Sequence, residues 1–257
     1  MKNDTYQYGF SASHPDVTYN VKMREQKAKK IIAVLDDHYS GNLESLTLLD
    51  IGCSTGIITN VLSKRFHKVT GIDIDEPAVK DAKKNYQSPN LGFSIQDSMK
   101  LGFPGESFHV IVCAHIYEHV PDPYQLLSEI YRVLKHGGIC YFAAGNRINL
   151  IEPHYKLPLL SVIPKSIAHQ YLHFFRKGDL YYENHLTLWG LRRLVSRFEI
   201  IDYTLKIVEN PEKYFATEMI QQNSYKQNIG LWILKHFYWA STTYLWLLRK
   251  KVNEDNL

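Results

Sequence analysis

The chain has 257 residues, 45% hydrophobic and 22% charged, a globular composition that is long enough for one large core and excludes disorder over most of its length. Thirty Lys and Arg against 26 Asp and Glu leave +4 with histidines neutral, too small a surplus to argue for a polyphosphate partner. Three cysteines, two of them (Cys113, Cys140) in apolar runs, exclude a disulfide framework and predict a reducing, cytosolic setting.

The opening MKNDTYQYGF has neither the apolar stretch nor the Arg-rich pattern of a targeting segment. Residues 18–38, TYNVKMREQKAKKIIAVLDDH, predict a basic helix within an N-terminal cover (1–40), and Gly41 leads into the first strand. From 47 to 145, β-rich runs alternate with helix-patterned stretches at roughly 20 to 25 residues, the spacing of a βα unit. The runs are TLLDIG (47–52), KVTGIDI (68–74), LGFSIQD (91–97), FHVIVCAH (108–115) and ICYFAAG (139–145). Several are apolar on both faces, as parallel strands covered by helices on each side require. The fold class is therefore α/β, doubly wound. Pro77 falls in the first turn of a helix, Asp122 and Pro123 read as N-cap and first helical position, and Gly137-Gly138 as the close of that helix.

Residues 146–185, rich in His, Tyr, Phe, Leu and Pro, break the pattern and predict an insertion. LTLWGLRRLVSRF (186–198) reads as a helix and FEIIDYTLKIV (198–208) as a strand. IGLWILKHFYWASTTYLWLLRKK (229–251) is about long enough to cross a bilayer. Lys235 and His236 fall inside it, however, and Ser241-Thr242-Thr243 favours a break. The sequence favours a helix over about 213–239, then a final strand, TYLWLLRK, antiparallel to 198–208.

The first strand ends in LLDIGCSTG (48–56), an acid followed by Gly52 and Gly56 at a strand-to-helix turn, where glycines let a ligand approach the backbone. This is GxxxG, not the GxGxxG of a dinucleotide site, and Ser54 stands where another glycine is usual. Asp50 beside the turn would repel a pyrophosphate and attract a cationic amino group, directly or through water. Asp73, at the tip of the second strand, is placed to accept both hydroxyls of a ribose, with Ile74 beside it. Asp97, at the third tip, can accept from an adenine amino group while the Ser98 backbone meets the ring edge. Each acid also has a plain explanation as a cap or turn former. Three on consecutive strand tips point instead to one crevice for a cationic nucleoside.

LLDIGCSTG, VTGIDIDEPAV, QDSMKLGFPGESFHVIVCAHIYEHVPDP and EIYRVLKHGGICYF, spanning about 47–145, resemble class I S-adenosylmethionine-dependent methyltransferases of the ubiquinone-methyltransferase-like type (methyltransferase type 11). The resemblance implies a Rossmann-like, mostly parallel seven-stranded sheet with an antiparallel last strand, over 41–257. It implies S-adenosyl-L-methionine as cofactor, held by Asp50, Gly52, Ser54, Gly56, Asp73, Asp97 and the start of the fourth loop near Ala114 and His115. Ser54 for the usual glycine makes the turn slightly less permissive.

A sulfonium methyl is already activated, so the protein mainly holds a nucleophile in line and excludes water; a base helps where the acceptor is weakly acidic. Candidates follow the fourth strand (His115, Glu118, His119) and the fifth (Glu152, His154, Tyr155), with His119, His154 and His115 the catalytic candidates. His119 also reads as a histidine capping the next turn, and His154 as one packed under the insertion. No metal is expected. The aromatic, basic segment 155–182 and the tryptophans of the last 26 residues suit a membrane interface; the alternative is that the two pack on each other. The expected acceptor is a small molecule, saccharide or lipid-linked compound, methylated on oxygen, at the inner face of the membrane. Alternatives are RNA methylation, thinly supported by the insertion's basic residues, and a nucleoside-binding membrane-surface module without turnover.

Overall fold

The computed structural model describes residues 8–13, 15–149, 151, 155–178 and 180–251. Seven strands form one sheet: β1 (Thr47–Ile51), β2 (Lys68–Asp73), β3 (Leu91–Ile95), β4 (Phe108–Ala114), β5 (Leu134–Gly145), β6 (Phe198–Asp202) and β7 (Thr243–Lys250). Their order is β3-β2-β1-β4-β5-β7-β6. β7 runs antiparallel to both its neighbours, while β1 to β5 are mutually parallel. The helices are α1 (Phe10–Ser13), α2 (Pro15–Thr18), α3 (Val21–Tyr39), α4 (Ile57–Ser63), α5 (Glu76–Asn85), α6 (Pro123–Val133), α7 (Lys165–Phe174), α8 (Leu188–Leu194), α9 (Thr204–Glu209) and α10 (Tyr225–His236).

Successive strand residues point to opposite faces, and both faces are buried. Leu49, Ile111, Cys113, Cys140, Phe142 and Trp246 pack with α6 and α8, whereas Leu48, Val110, Val112, Tyr141 and Leu247 pack with Ile31, Val34 and Leu35 of α3 and Leu62 of α4. The expected α/β doubly wound class, the five strand runs, the basic helix and the reversed last strand are all present. Asp122 caps α6 as read, accepting from the backbone N–H of Tyr124 and Gln125 at 3.0 Å.

Four boundaries differ from the sequence expectation. Gly137-Gly138 do not close α6, which ends at Val133; they lie inside β5, at a shift of register against β4. A Cβ on Gly138 would sit 2.8 Å from the Lys135 carbonyl oxygen and 2.9 Å from that of His109, so the bulge itself requires glycine. The strand expected over 198–208 ends at Asp202, whose Oδ1 accepts from the Thr204 N–H at 2.8 Å and turns the chain into α9. The helix expected over 213–239 is limited to α10, because Ser224 caps its start by accepting from Gln227 N–H. Residues 213–220 fold against α3, where Gln26 donates to the Phe215 carbonyl. The helix of 186–198 is shorter, α8. Among the described residues, no helix is long and apolar enough to cross a membrane.

Candidate active site

The turn from β1 into α4 holds three left-handed residues, Gly52 (φ 76°), Ser54 (φ 49°) and Gly56 (φ 78°). Gly52 and Cys53 N–H both donate to the Ile72 carbonyl, at 2.9 and 3.0 Å, tying the turn to β2. A Cβ on Gly52 would lie 2.1 Å from Ile116 Cδ1, and one on Gly56 2.7 Å from Ala82 Cβ, so both glycines are demanded by space as well as by φ. Ser54 takes the left-handed conformation without being glycine. Its N–H donates to Asp73 Oδ2 at 2.7 Å, which offsets the strain.

Strand order brings the tips of β3, β2, β1 and β4 side by side along one edge. Asp73 is half-buried, and its Oδ1 accepts from Asp75 N–H at 2.9 Å. Burial pushes its carboxyl up in pKa, against the hydrogen bonds of Asp75, Ser54 and Ile74. Two bonded oxygens still leave lone pairs for hydroxyl donors. Asp50 is buried beneath the turn and accepts from Thr59 Oγ1 at 2.6 Å. Burial pushes its pKa up to about 7, with Thr59 and Arg24 pulling it down and Asp73 pushing it up. Asp97 Oδ1 accepts from Met99 N–H at 2.8 Å, which leaves Ser98, half-buried, at the apex of the turn after β3. Ala114 ends β4, half-buried, opposite Ala143 of β5.

Arg24 is the residue that sequence reasoning missed. Burial lowers its pKa while the charges of Asp50 and Asp73 raise it, so the guanidinium lies in the field of both acids. Nothing in MREQKAKK distinguishes Arg24 from its basic neighbours; its place follows from α3 packing on the sheet beside α4.

The chain before α3 closes over this edge. Ser11 N–H donates to Asp75 Oδ2 at 2.7 Å, Thr55 Oγ1 to the Thr18 carbonyl at 2.9 Å, and Tyr19 Oη to Asp81 Oδ2 at 2.5 Å. The Phe10 ring lies 6.3 Å from that of His119.

The loop after β4 carries the candidate acid–base groups. His115 stands at φ 58° with a half-exposed side chain, and its Nδ1 is 3.3 Å from Oε1 of the buried Glu118. His119 lies in a single 3-10 turn, Tyr117–His119, against Phe10. His154 and Glu152 lie outside the described residues. A second missed residue is His185, buried just before α8: a Cβ on Gly145 would sit 3.2 Å from its ring and 3.7 Å from Glu118 Oε1. The insertion that carries it returns to the sheet through Asn184 N–H to the Glu118 carbonyl (2.8 Å) and Leu186 N–H to Tyr117 Oη (3.0 Å). No group of three or more His, Cys, Asp or Glu suited to a metal occurs among the described residues.

Residues 49–142 match a family model described as a methyltransferase domain. Over 147 residues the chain is 30% identical to a ubiquinone biosynthesis O-methyltransferase of Coxiella burnetii, covering 54% of this chain and 61% of the relative. The chain thus spans about three fifths of the length of the curated relatives it matches. A solved S-adenosylmethionine-dependent methyltransferase of Methanosarcina mazei aligns with a TM-score of 0.53 at 22% identity, covering 84% of this chain and 97% of that one. A geranyl diphosphate methyltransferase solved in complex with S-adenosylmethionine aligns with a TM-score of 0.52 at 15% identity, covering 89% and 86%. At these identities the two structures speak for the fold.

Proposed function

We propose that this chain, whose residues 49–142 match a methyltransferase-domain family, is a class I S-adenosylmethionine-dependent methyltransferase that transfers the methyl group of that cofactor to a hydroxyl of a small-molecule, saccharide or lipid-linked acceptor. The observation that carries this is the donor set at the β1, β2 and β3 tips. Asp73 keeps lone pairs for a ribose after bonding Ser54 and Asp75. Asp50 and Arg24 offer a carboxyl and a guanidinium for the two charged ends of an amino acid. A nucleoside carrying both a cation and a carboxylate fits this set; a pyrophosphate beside Asp50 does not.

In this reading Asp73 holds the ribose, Asp97 and Ser98 meet the adenine, and Gly52, Ser54, Gly56, Ile74 and Ala114 form the walls. Arg24 faces the carboxylate and Asp50 the ammonium. When bound, S-adenosylmethionine supplies an electrophilic methyl carbon with a neutral thioether as leaving group. Ser11, Thr18 and Tyr19, bonded to Asp75, Thr55 and Asp81, help exclude water from the reacting centre. Acceptors enter where β4 and β5 end, between the loop 115–119 and the insertion.

A small-molecule oxygen acceptor is supported by the Coxiella relative. A lipid-linked acceptor is supported by aromatic and basic side chains exposed together on the insertion, Phe174, Phe175 and Tyr182 with Lys165, Arg176 and Lys177. Isothermal titration tests the cofactor: binding of S-adenosylmethionine and S-adenosylhomocysteine is expected, and Asp73→Ala weakens it by about 1 to 3 kcal/mol. Absence of binding to either compound overturns the proposal. Incubation with methyl-labelled cofactor and a fractionated cell extract, with mass analysis of the labelled product, identifies the acceptor.

A further inference from the structure

The loop after β4 contains a group that cofactor binding does not use. Glu118 is 1% exposed, its Oε2 has no hydrogen-bond partner, and its Oε1 lies 3.3 Å from Nδ1 of the His115 imidazole. A buried carboxylate with one oxygen left unsatisfied is costly and requires a reason. His115, like several other non-glycine residues of the chain, holds a left-handed φ, here 58°. Such a conformation persists where its surroundings over-determine the backbone. The surroundings do so here: His115 N–H donates to the Ala143 carbonyl at 2.8 Å, and the next residue, Ile116, packs on Gly52 of the cofactor turn.

Resting on the methyl-transfer reading above, we propose that His115 is the general base of the reaction and Glu118 its positioning residue, so that the acceptor is a neutral hydroxyl compound which must lose its proton during transfer. An ionised carboxylate only accepts hydrogen bonds, so Glu118 fixes His115 as the Nδ1–H tautomer and leaves the Nε2 lone pair for a ligand. Although burial pushes the Glu118 carboxyl up, the hydrogen bond from His115 and the neighbouring His115 and His119 hold it below its ordinary value, so it is ionised. The His115 side chain is 44% exposed and no hydrogen bond engages its Nε2 among the described residues. The acceptor's hydroxyl proton passes to Nε2 as an oxygen lone pair forms the new bond to the methyl carbon. The S–CH3 bonding pair stays on sulfur, and the imidazolium, stabilised by Glu118, then releases its proton to water.

The first test needs no acceptor. Long-range proton–nitrogen NMR of the full chain with labelled histidine, with His115 assigned by its loss in His115→Asn, is expected to show the Nδ1–H tautomer. Glu118→Gln, of the same shape, is expected to redistribute it toward Nε2–H. A wild-type Nε2–H ring, or a tautomer unchanged by Glu118→Gln, overturns the proposal. The second test uses the extract fraction that the wild type labels. His115→Asn, which tolerates the left-handed backbone, is expected to lower the labelling rate by about 10²- to 10⁴-fold, the usual share of a general base, with S-adenosylhomocysteine affinity within about threefold. Retention of more than about a tenth of the rate, or loss of S-adenosylhomocysteine binding, overturns it. A wild type that binds S-adenosylhomocysteine but labels no fraction counts against the transfer reading, and the tautomer alone then decides the His115–Glu118 pair.

Discussion

Asp50 lies buried beneath the β1–α4 turn with a pKa pushed up to about 7, chiefly by burial, so near neutral pH the free protein holds it partly protonated. A cation placed beside it favours the carboxylate. With the cofactor's ammonium there, as proposed, S-adenosylmethionine binding should release a fraction of a proton, and affinity should rise with pH between about 6 and 8. Titration calorimetry in phosphate and in Tris, whose ionisation enthalpies differ, should give different apparent binding enthalpies for the wild type and equal ones for Asp50→Asn. Equal enthalpies in the wild type would remove Asp50 from the ammonium site. The sequence places Asp50, Asp73 and Asp97 at or just past the ends of strand runs, and strand order then brings those ends side by side along one edge. Arg24 and His185 were not legible in this way. Each reaches the edge only through tertiary placement, one by α3 packing on the sheet beside α4, the other by the insertion returning through Asn184 and Leu186.

Between elements, local chemistry overrode pattern in two instructive places. DYTLKIV alternates well enough to pass for a strand, yet the Asp202 side chain bonds the Thr204 N–H and starts a helix, a local competition that periodicity does not register. Gly137-Gly138 look like a helix stop but serve a bulge, because glycine signals a special backbone without saying which kind. The tryptophans late in the chain differ in the same way, alike in sequence and unlike in place. Trp246 is buried on β7, stacked near Phe142 and Tyr244, with Nε1 donating to Tyr238 Oη at 3.0 Å. Trp232 on α10 is largely exposed. Trp246→Ala should cost about 3 to 5 kcal/mol by denaturant unfolding, because β7 is the strand that joins β6 to the rest of the sheet. Trp232→Ala should cost no more than about 0.5 kcal/mol. Comparable losses for the two would mean that α10 is covered in the working protein.

At the scale of the molecule, the two sheet faces are filled by helices, while the insertion builds a separate small core of Leu157, Leu160, Ala168, Leu172 and Tyr181. That core uses only one side of α7. Its other side and the turn after it leave Ile167, Phe174 and Phe175 in water, Phe174 at 80% exposure, beside Lys165, Arg176 and Lys177. Apolar side chains in water next to cations match the interface of an anionic bilayer, where each buried Phe contributes about 1.5 to 3 kcal/mol at full burial and each basic residue about 1 kcal/mol. The insertion also returns to the turn after β4, through Asn184 N–H to the Glu118 carbonyl and Leu186 N–H to Tyr117 Oη. The full chain should therefore float with vesicles containing phosphatidylglycerol and much less with phosphatidylcholine alone. Phe174→Glu combined with Phe175→Glu should abolish flotation while leaving S-adenosylhomocysteine affinity and thermal stability unchanged, since neither side chain belongs to a core. If wild type and double variant both remain in the bottom fraction with anionic vesicles, the insertion does not meet lipid.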